Sequence, residues 1–174
     1  SKLAGDFVEC GVGKGVLSKA ICTYIDFNSV KKDFYLFDTY KVIPLEDALN
    51  TDETENMRRL NKLHFDSDYS KSIKESFSAF PNVNIVKGKV PDVFKEVSLN
   101  AVSYVSIDMN NAKAEISAIE YLWDKLVTGA VIVLDDYAYG EDFRTQKTAW
   151  DTYAEKMGFE ILSLPTGQGL IIKS

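Results

Sequence analysis

Two cysteines, one histidine and four prolines among 174 residues are few enough that each scarcity excludes something. Two thiols, Cys10 and Cys22, cannot build the disulfide framework of a small secreted domain or a four-thiolate zinc centre. Cys10 ends an apolar run and Cys22 lies on the apolar side of the next helical pattern, so both read as core thiols. His64, the lone histidine, sits in a polar segment and reads as a surface residue rather than a base. Apolar runs of membrane-spanning length are absent, and so is a signal-peptide pattern, which leads us to expect no membrane association and a cytoplasmic protein. Basic charge is also in deficit. A formal net charge of -6 argues against nucleic acid as a partner, since that interaction rewards clustered Lys and Arg. The sparse basic stretch from Lys87 to Lys95 reads as a solvated rim. Repeats, low-complexity tracts and linkers are missing too, so residues 1–174 are expected to form one domain. The first strand begins so near residue 1 that a further N-terminal segment is expected to precede it.

What is present starts with Asp6-Phe7-Val8-Glu9-Cys10-Gly11-Val12-Gly13-Lys14-Gly15. A short apolar run carries an acid near its end, and three alternate glycines lead into a helical pattern. Such a turn lets backbone approach a ligand and offers helix N-terminal N–H groups to it. Val16, Leu17, Ala20, Ile21, Tyr24 and Ile25 then recur at helical spacing, predicting one amphipathic helix. Phe34 to Phe37 reads as a second strand, followed by Asp38. A charged segment from Val42 to about Ser67, with a helix near Glu53 to Leu63, is long enough to be a lid or recognition segment. Further on, helix Tyr69–Phe80, strand Val83–Val86, a short helix Asp92–Val97 and strand Tyr104–Ile107 are expected. They are followed by a helix from Ala112 that ends near Gly129, strand Ala130–Leu134, helix Phe143–Met157 and two closing strands, Phe159–Leu164 and Leu170–Lys173. The expected fold class is α/β, Rossmann-like: a mostly parallel seven-stranded sheet with an antiparallel C-terminal strand and helices on both faces.

Acids stand at the ends of four of these strands: Glu9, Asp38, Asp108, and Asp135 with Asp136. In an open α/β sheet those ends line the ligand crevice. Glu9, the glycine turn and Asp38 one βαβ unit later suit a nucleoside, whose ribose hydroxyls an acid can accept. Asp38 could instead accept backbone N–H groups. Asp108, Asp135 and Asp136, with no His or Cys nearby, form an oxygen-only set suited to Mg²⁺, Mn²⁺ or Ca²⁺. Asp135-Asp136 could instead be a turn and helix start. Gly13-Lys14-Gly15 is not a phosphate-binding P-loop, because the upstream glycine and the hydroxyl after the lysine are missing. Tyr137 and Tyr139 read as packing aromatics.

Taken in order, Gly5-Asp6-Phe7-Val8-Glu9-Cys10-Gly11-Val12, Phe37-Asp38-Thr39-Tyr40, Val86-Lys87-Gly88, Ile107-Asp108 and Ile132-Val133-Leu134-Asp135-Asp136-Tyr137 resemble the macrocin O-methyltransferase family, class I enzymes dependent on S-adenosylmethionine (SAM). The resemblance runs over nearly the whole chain. It implies SAM held by Glu9, Gly11, Gly13, Asp38, Thr39, Gly88 and Asp108, and Mg²⁺ or another divalent cation held by Asp108, Asp135 and Asp136. It also implies a small-molecule hydroxyl acceptor, of a sugar or natural product, and a homo-oligomer such as a dimer. The catalytic position falls on Asp108 and Asn110. Family members often carry Asp-Gly-Asp where this chain reads Asp108-Met109-Asn110, so an amide that cannot take a proton stands where a general base is expected. A nicotinamide-dependent oxidoreductase and a non-catalytic SAM-binding domain are the competing readings. The glycine spacing counts against the first, and Asn110 favours the second.

Overall fold

In the strands β1 (Asp6–Cys10) and β4 (Val102–Ile107), side chains of both parities are buried, as expected of a sheet covered on both sides. The computed structural model describes residues 3–64 and 67–174. Its other strands are β2 (Phe34–Asp38), β3 (Val83–Lys87), β5 (Leu126–Leu134), β6 (Leu162–Ser163) and β7 (Gly169–Ile172). The seven form one sheet in the order β3-β2-β1-β4-β5-β7-β6. β1 pairs in parallel with both β2 and β4, while β7 runs antiparallel to β5 and to β6. The chain winds outward from β1 in both directions, so a crevice opens at its C-terminal end, where the connections diverge.

Helices α1 (Val16–Tyr24), α2 (Thr51–His64), α3 (Ser70–Ser76), α4 (Ala112–Leu122) and α5 (Arg144–Met157) join these strands. One core cluster packs Val105, Ile107, Ile132 and Ile171 against Ala118, Ile119 and Leu122 of α4 and Trp150 of α5. A second, on the opposite side of the sheet, joins Phe34 and Leu36 to Cys22, Phe27, Ile73 and Phe77. Both cysteines are free and buried. No helix among the described residues is long and apolar enough to cross a membrane.

Several sequence expectations shift. The glycine turn sets the phase of α1 so that Ser18 and Cys22 face the sheet, leaving Val16 78% and Tyr24 91% exposed. Of the expected apolar face, Val16, Leu17, Tyr24 and Ile25 are therefore exposed, while Ile21 and Cys22 pack on the second cluster. The helix expected from Ala112 to near Gly129 gives way to a 3₁₀ turn after Leu122, because β5 begins at Leu126 instead of Ala130. The backbone N–H of Gly129 donates to the Lys173 carbonyl at 2.7 Å, so the start of β5 is held by the C-terminal segment. The Asp92–Val97 helix is a 3₁₀ turn, and the penultimate strand shrinks to two residues. The helix in the charged insertion is present as α2. Residues 65 and 66 at the end of that insertion lie outside the described residues.

Candidate active site

The strand ends are aligned by backbone bonds that continue each ladder by one residue. Gly11 N–H donates to the Phe37 carbonyl, Gly88 N–H to Asp38, Asp108 N–H to Cys10 and Asp135 N–H to Ile107, all at 2.9–3.0 Å. The turns that follow these strands therefore stand in one row. Gly11 makes the closest approach in that row: with φ +83°, a Cβ there would lie 1.9 Å from the Asp108 carbonyl oxygen. Only a residue without a side chain fits.

Asp38 fastens the glycine turn. Its Oδ2 accepts the N–H groups of Val12 at 2.7 Å and Gly13 at 2.8 Å, and its Oδ1 accepts Tyr40 N–H at 2.6 Å. The successive N–H groups of the turn form an anion-binding concavity, and Asp38 supplies the anion. Of the two roles weighed for this residue, accepting backbone N–H groups is thus the one this structure displays. The Thr39 and Tyr69 hydroxyls also donate to Oδ1, each at 3.4 Å, so its roughly four lone-pair sites are all engaged.

A cavity opens over the turn. Gly11, Gly13, Asp38 and Thr39 form one side, Gly88 and Val90 another, and Asp108, Met109 and Asn110 the far rim. Its outer wall comes from Lys41 and from the insertion that follows it, through Ile43, Pro44 and Asp47. A charged clasp holds that wall down. Lys89 pairs with Glu46 at 2.9 Å and with Asp47, and Lys113 of α4 pairs with Asp47 at 2.9 Å. The hydrogen bonds from Lys89 and then Lys113 hold the Asp47 carboxyl below its ordinary pKa. A sequence could reveal this clasp only by pairing charges far apart along the chain, and none of its residues was expected at the site.

Of the seven residues expected around the cofactor, six line this cavity. Glu9 does not. It lies beneath the turn, 2% exposed, and its Oε2 has no hydrogen-bond partner among the described residues. Burial first, then the neighbouring Asp108, pushes its pKa up to about 8.

The three acids expected to act together do converge. One carboxylate oxygen from each of Asp108, Asp135 and Asp136 lies within 4.8 Å of the others. None of the three takes part in an ion pair among the described residues. The Asp108 pKa is raised well above its ordinary value, by burial and then by Asp135 and Asp136. That of Asp136 is raised to about 7, by burial and then by Asp135. Like charges gathered without a cation suit a hard divalent ion, which takes oxygen ligands at roughly 2.0–2.6 Å. Asn110, at φ +54°, turns its Nδ2 back to donate to Asp108 Oδ1 at 3.2 Å. Beneath this loop the buried Glu115 accepts Trp150 Nε1–H at 2.8 Å, and burial raises its pKa to about 8.

His64 is exposed. Tyr137 is buried and donates to Asp151 at 2.5 Å, while Tyr139 is 68% exposed and stands edge-on to Phe143.

Among solved structures, the O-methyltransferase NovP superposes with a TM-score of 0.79 at 17% identity, over 99% of this chain and 73% of that one. The calicheamicin methyltransferase CalS11 gives 0.75 at 15% identity, over 98% and 72%. A Podospora anserina methyltransferase, PaMTH1, solved with S-adenosylhomocysteine (SAH), gives 0.59 at 12% identity, over 98% and 72%. At such identities these likenesses establish the fold alone. No curated protein sequence matches the chain. The family is established by sequence: the model for macrocin O-methyltransferase (TylF) matches residues 1–161. That match selects methyl transfer over nicotinamide chemistry, and with nearly the whole length covered the chain belongs to the macrocin O-methyltransferase family of SAM-dependent O-methyltransferases.

Proposed function

We propose that the chain methylates a hydroxyl of a sugar or sugar-bearing natural product, with SAM in the cavity and a divalent cation at Asp108, Asp135 and Asp136. The observation that carries this reading is the position of Asp108, which lines the cavity and belongs to the acid cluster. Donor and acceptor sites would then share a wall. CalS11, whose fold is similar, is a TDP-rhamnose 3'-O-methyltransferase, which supports a sugar hydroxyl as acceptor.

The sulfonium methyl of SAM is already activated, so these residues have to align it with the attacking oxygen and keep water out. Gly11 and Gly13 let the backbone approach the cofactor, and Asp38 keeps their turn rigid. The insertion wall, clasped through Asp47, closes the solvent side. A cation at the cluster would supply Lewis acidity that favours ionisation of the acceptor hydroxyl. Asn110 cannot take a proton, and its bond to Asp108 Oδ1 makes it an orienting group for that carboxylate. The acid cluster is left as the part of the site that activates the acceptor.

Titration calorimetry with SAM and SAH is the first test, followed by transfer of labelled methyl to nucleotide sugars and glycosylated natural products with and without Mg²⁺. SAM is expected to bind the wild type and to bind Asp38→Ala about tenfold or more weakly, because the glycine turn loses its anchor. Absence of SAM and SAH binding at millimolar ligand would overturn the reading.

A further inference from the structure

The turn between β6 and β7 lies against the loop that carries Asp135 and Asp136. Ala138 N–H donates to the Gly167 carbonyl at 2.7 Å, and within the turn Leu164 N–H donates to the Gln168 carbonyl at 2.8 Å. Two glycines make the contact possible. A Cβ on Gly167, at φ +93°, would lie 3.0 Å from the Cα of Tyr139, and one on Gly169 would lie 2.9 Å from the Tyr137 ring. Between these glycines Gln168 is half-buried, and its Nε2 donates to Asp135 Oδ1 at 3.1 Å. That is the one side-chain hydrogen bond to Asp135 among the described residues.

We infer that Gln168 is a positioning residue for the cation site, holding the Asp135 carboxylate in the orientation that lets three acids face one ion. The inference rests on the proposed cation site. The chemistry of the residue supports it. An amide donor takes up one lone pair of a carboxylate and leaves the other oxygen for a ligand, while adding no charge. Lysine or arginine in the same place would neutralise the acids and compete with the ion. Asn110 makes the equivalent contact to Asp108, so two of the three carboxylates are oriented by neutral amides arriving from different loops. Asp135 is tied to the last hairpin although some thirty residues separate them, which gives that hairpin a part in the site beyond completing the sheet.

Mn²⁺ binding to the full chain, followed by calorimetry and by water-proton relaxation, tests this without reference to catalysis. The wild type is expected to bind one Mn²⁺, and Asp135→Asn to abolish binding. Gln168→Ala should weaken Mn²⁺ by about 10–100-fold, the usual cost of losing a group that orients a ligand, with SAH affinity unchanged within twofold. Gln168→Lys should abolish Mn²⁺ binding while keeping SAH affinity, which also reports that the fold is intact. Mn²⁺ affinity unchanged in Gln168→Ala would overturn the inference and leave the cation site standing. A wild type that binds SAH but no Mn²⁺ would overturn both.

Discussion

Glu9 carries an acid into the interior, 2% exposed, with its Oε2 buried and without a hydrogen-bond partner among the described residues. It pairs in register with Ser106 on β4 and lies beside Ser18 of α1, inside the sheet-to-helix layer. Its pKa of about 8, raised by burial and then by Asp108, Asp38 and Asp135, means that the folded chain keeps a proton that the unfolded chain releases near 4.5. Between those values the folded state binds more protons, so stability falls as pH rises from about 4.5 to about 8. Below that window both states are protonated and Glu9 contributes no slope. Glutamine keeps the shape and stays neutral. Thermal unfolding of the ligand-free chain should therefore show Glu9→Gln gaining on the wild type as pH rises from 5 to 8.5. A constant difference over that range would place the ionisation elsewhere. Glu115, also at about 8, acts with the same sign and should leave a residual slope in the variant.

At the scale of elements, the insertion is fixed in place by a buried acid. Glu53 on α2 is 2% exposed, and its Oε1 accepts Ala112 N–H at 2.7 Å while its Oε2 accepts Leu49 N–H at 2.6 Å. Ala112 opens α4, directly after the site loop, and Asn111 caps that helix by accepting Ala114 N–H at 2.8 Å. Asn56 and Arg59 add bonds to Asp142 ahead of α5. The insertion is thus a docked wall of the cavity. Glu53→Ala removes two charge-assisted bonds worth roughly 1.5–3 kcal/mol each. Amide exchange in α2 and the first turn of α4 should rise steeply, while β1, β4 and β5 remain protected. Equal acceleration in all of them would mean that the wall and the core unfold together.

The strands were legible because short apolar runs such as Val83–Val86 and Ala130–Leu134 admit few other places in an α/β chain. The acids were legible because Asp38, Asp108 and Asp135 directly follow such runs and Glu9 lies one residue before the end of its own. The facing of α1 was not, since periodicity shows that an apolar side exists while the glycine turn decides where it points. Asp47, Glu53 and Gln168 were missed because each acts through a partner distant in sequence, and a lone polar residue in a charged segment looks the same whether it is solvated or clasped.

For the molecule as a whole, the formal net charge of -6 is one the fold does not spread evenly. Asp108, Asp135 and Asp136 meet at one rim, and Asp108 and Asp136 have pKa values raised by burial and mutual repulsion. Without a cation, such a cluster either takes up protons or holds unfavourable charge, and in both cases the folded state loses stability as pH rises through the raised values. A bound divalent ion would reverse that trend, because protons and metal compete for the same oxygens. Saturation at about 100 times the dissociation constant stabilises a protein by about 2.7 kcal/mol. For a domain of this size that corresponds to roughly 5–10 °C in Tm. Mg²⁺ should therefore raise Tm by about that amount at pH 8.5. At pH 5.5 the shift should be much smaller, because Asp136, with its pKa raised to about 7, is mostly protonated there. Asp136→Asn should lose the Mg²⁺ shift at both pH values and be less sensitive to high pH when no metal is added. Differential scanning fluorimetry at the two pH values measures all of these. An equal Mg²⁺ shift at both, or one that survives in Asp136→Asn, would place the ion away from the strand ends and separate cation binding from the geometry that Asp108 shares with the cavity.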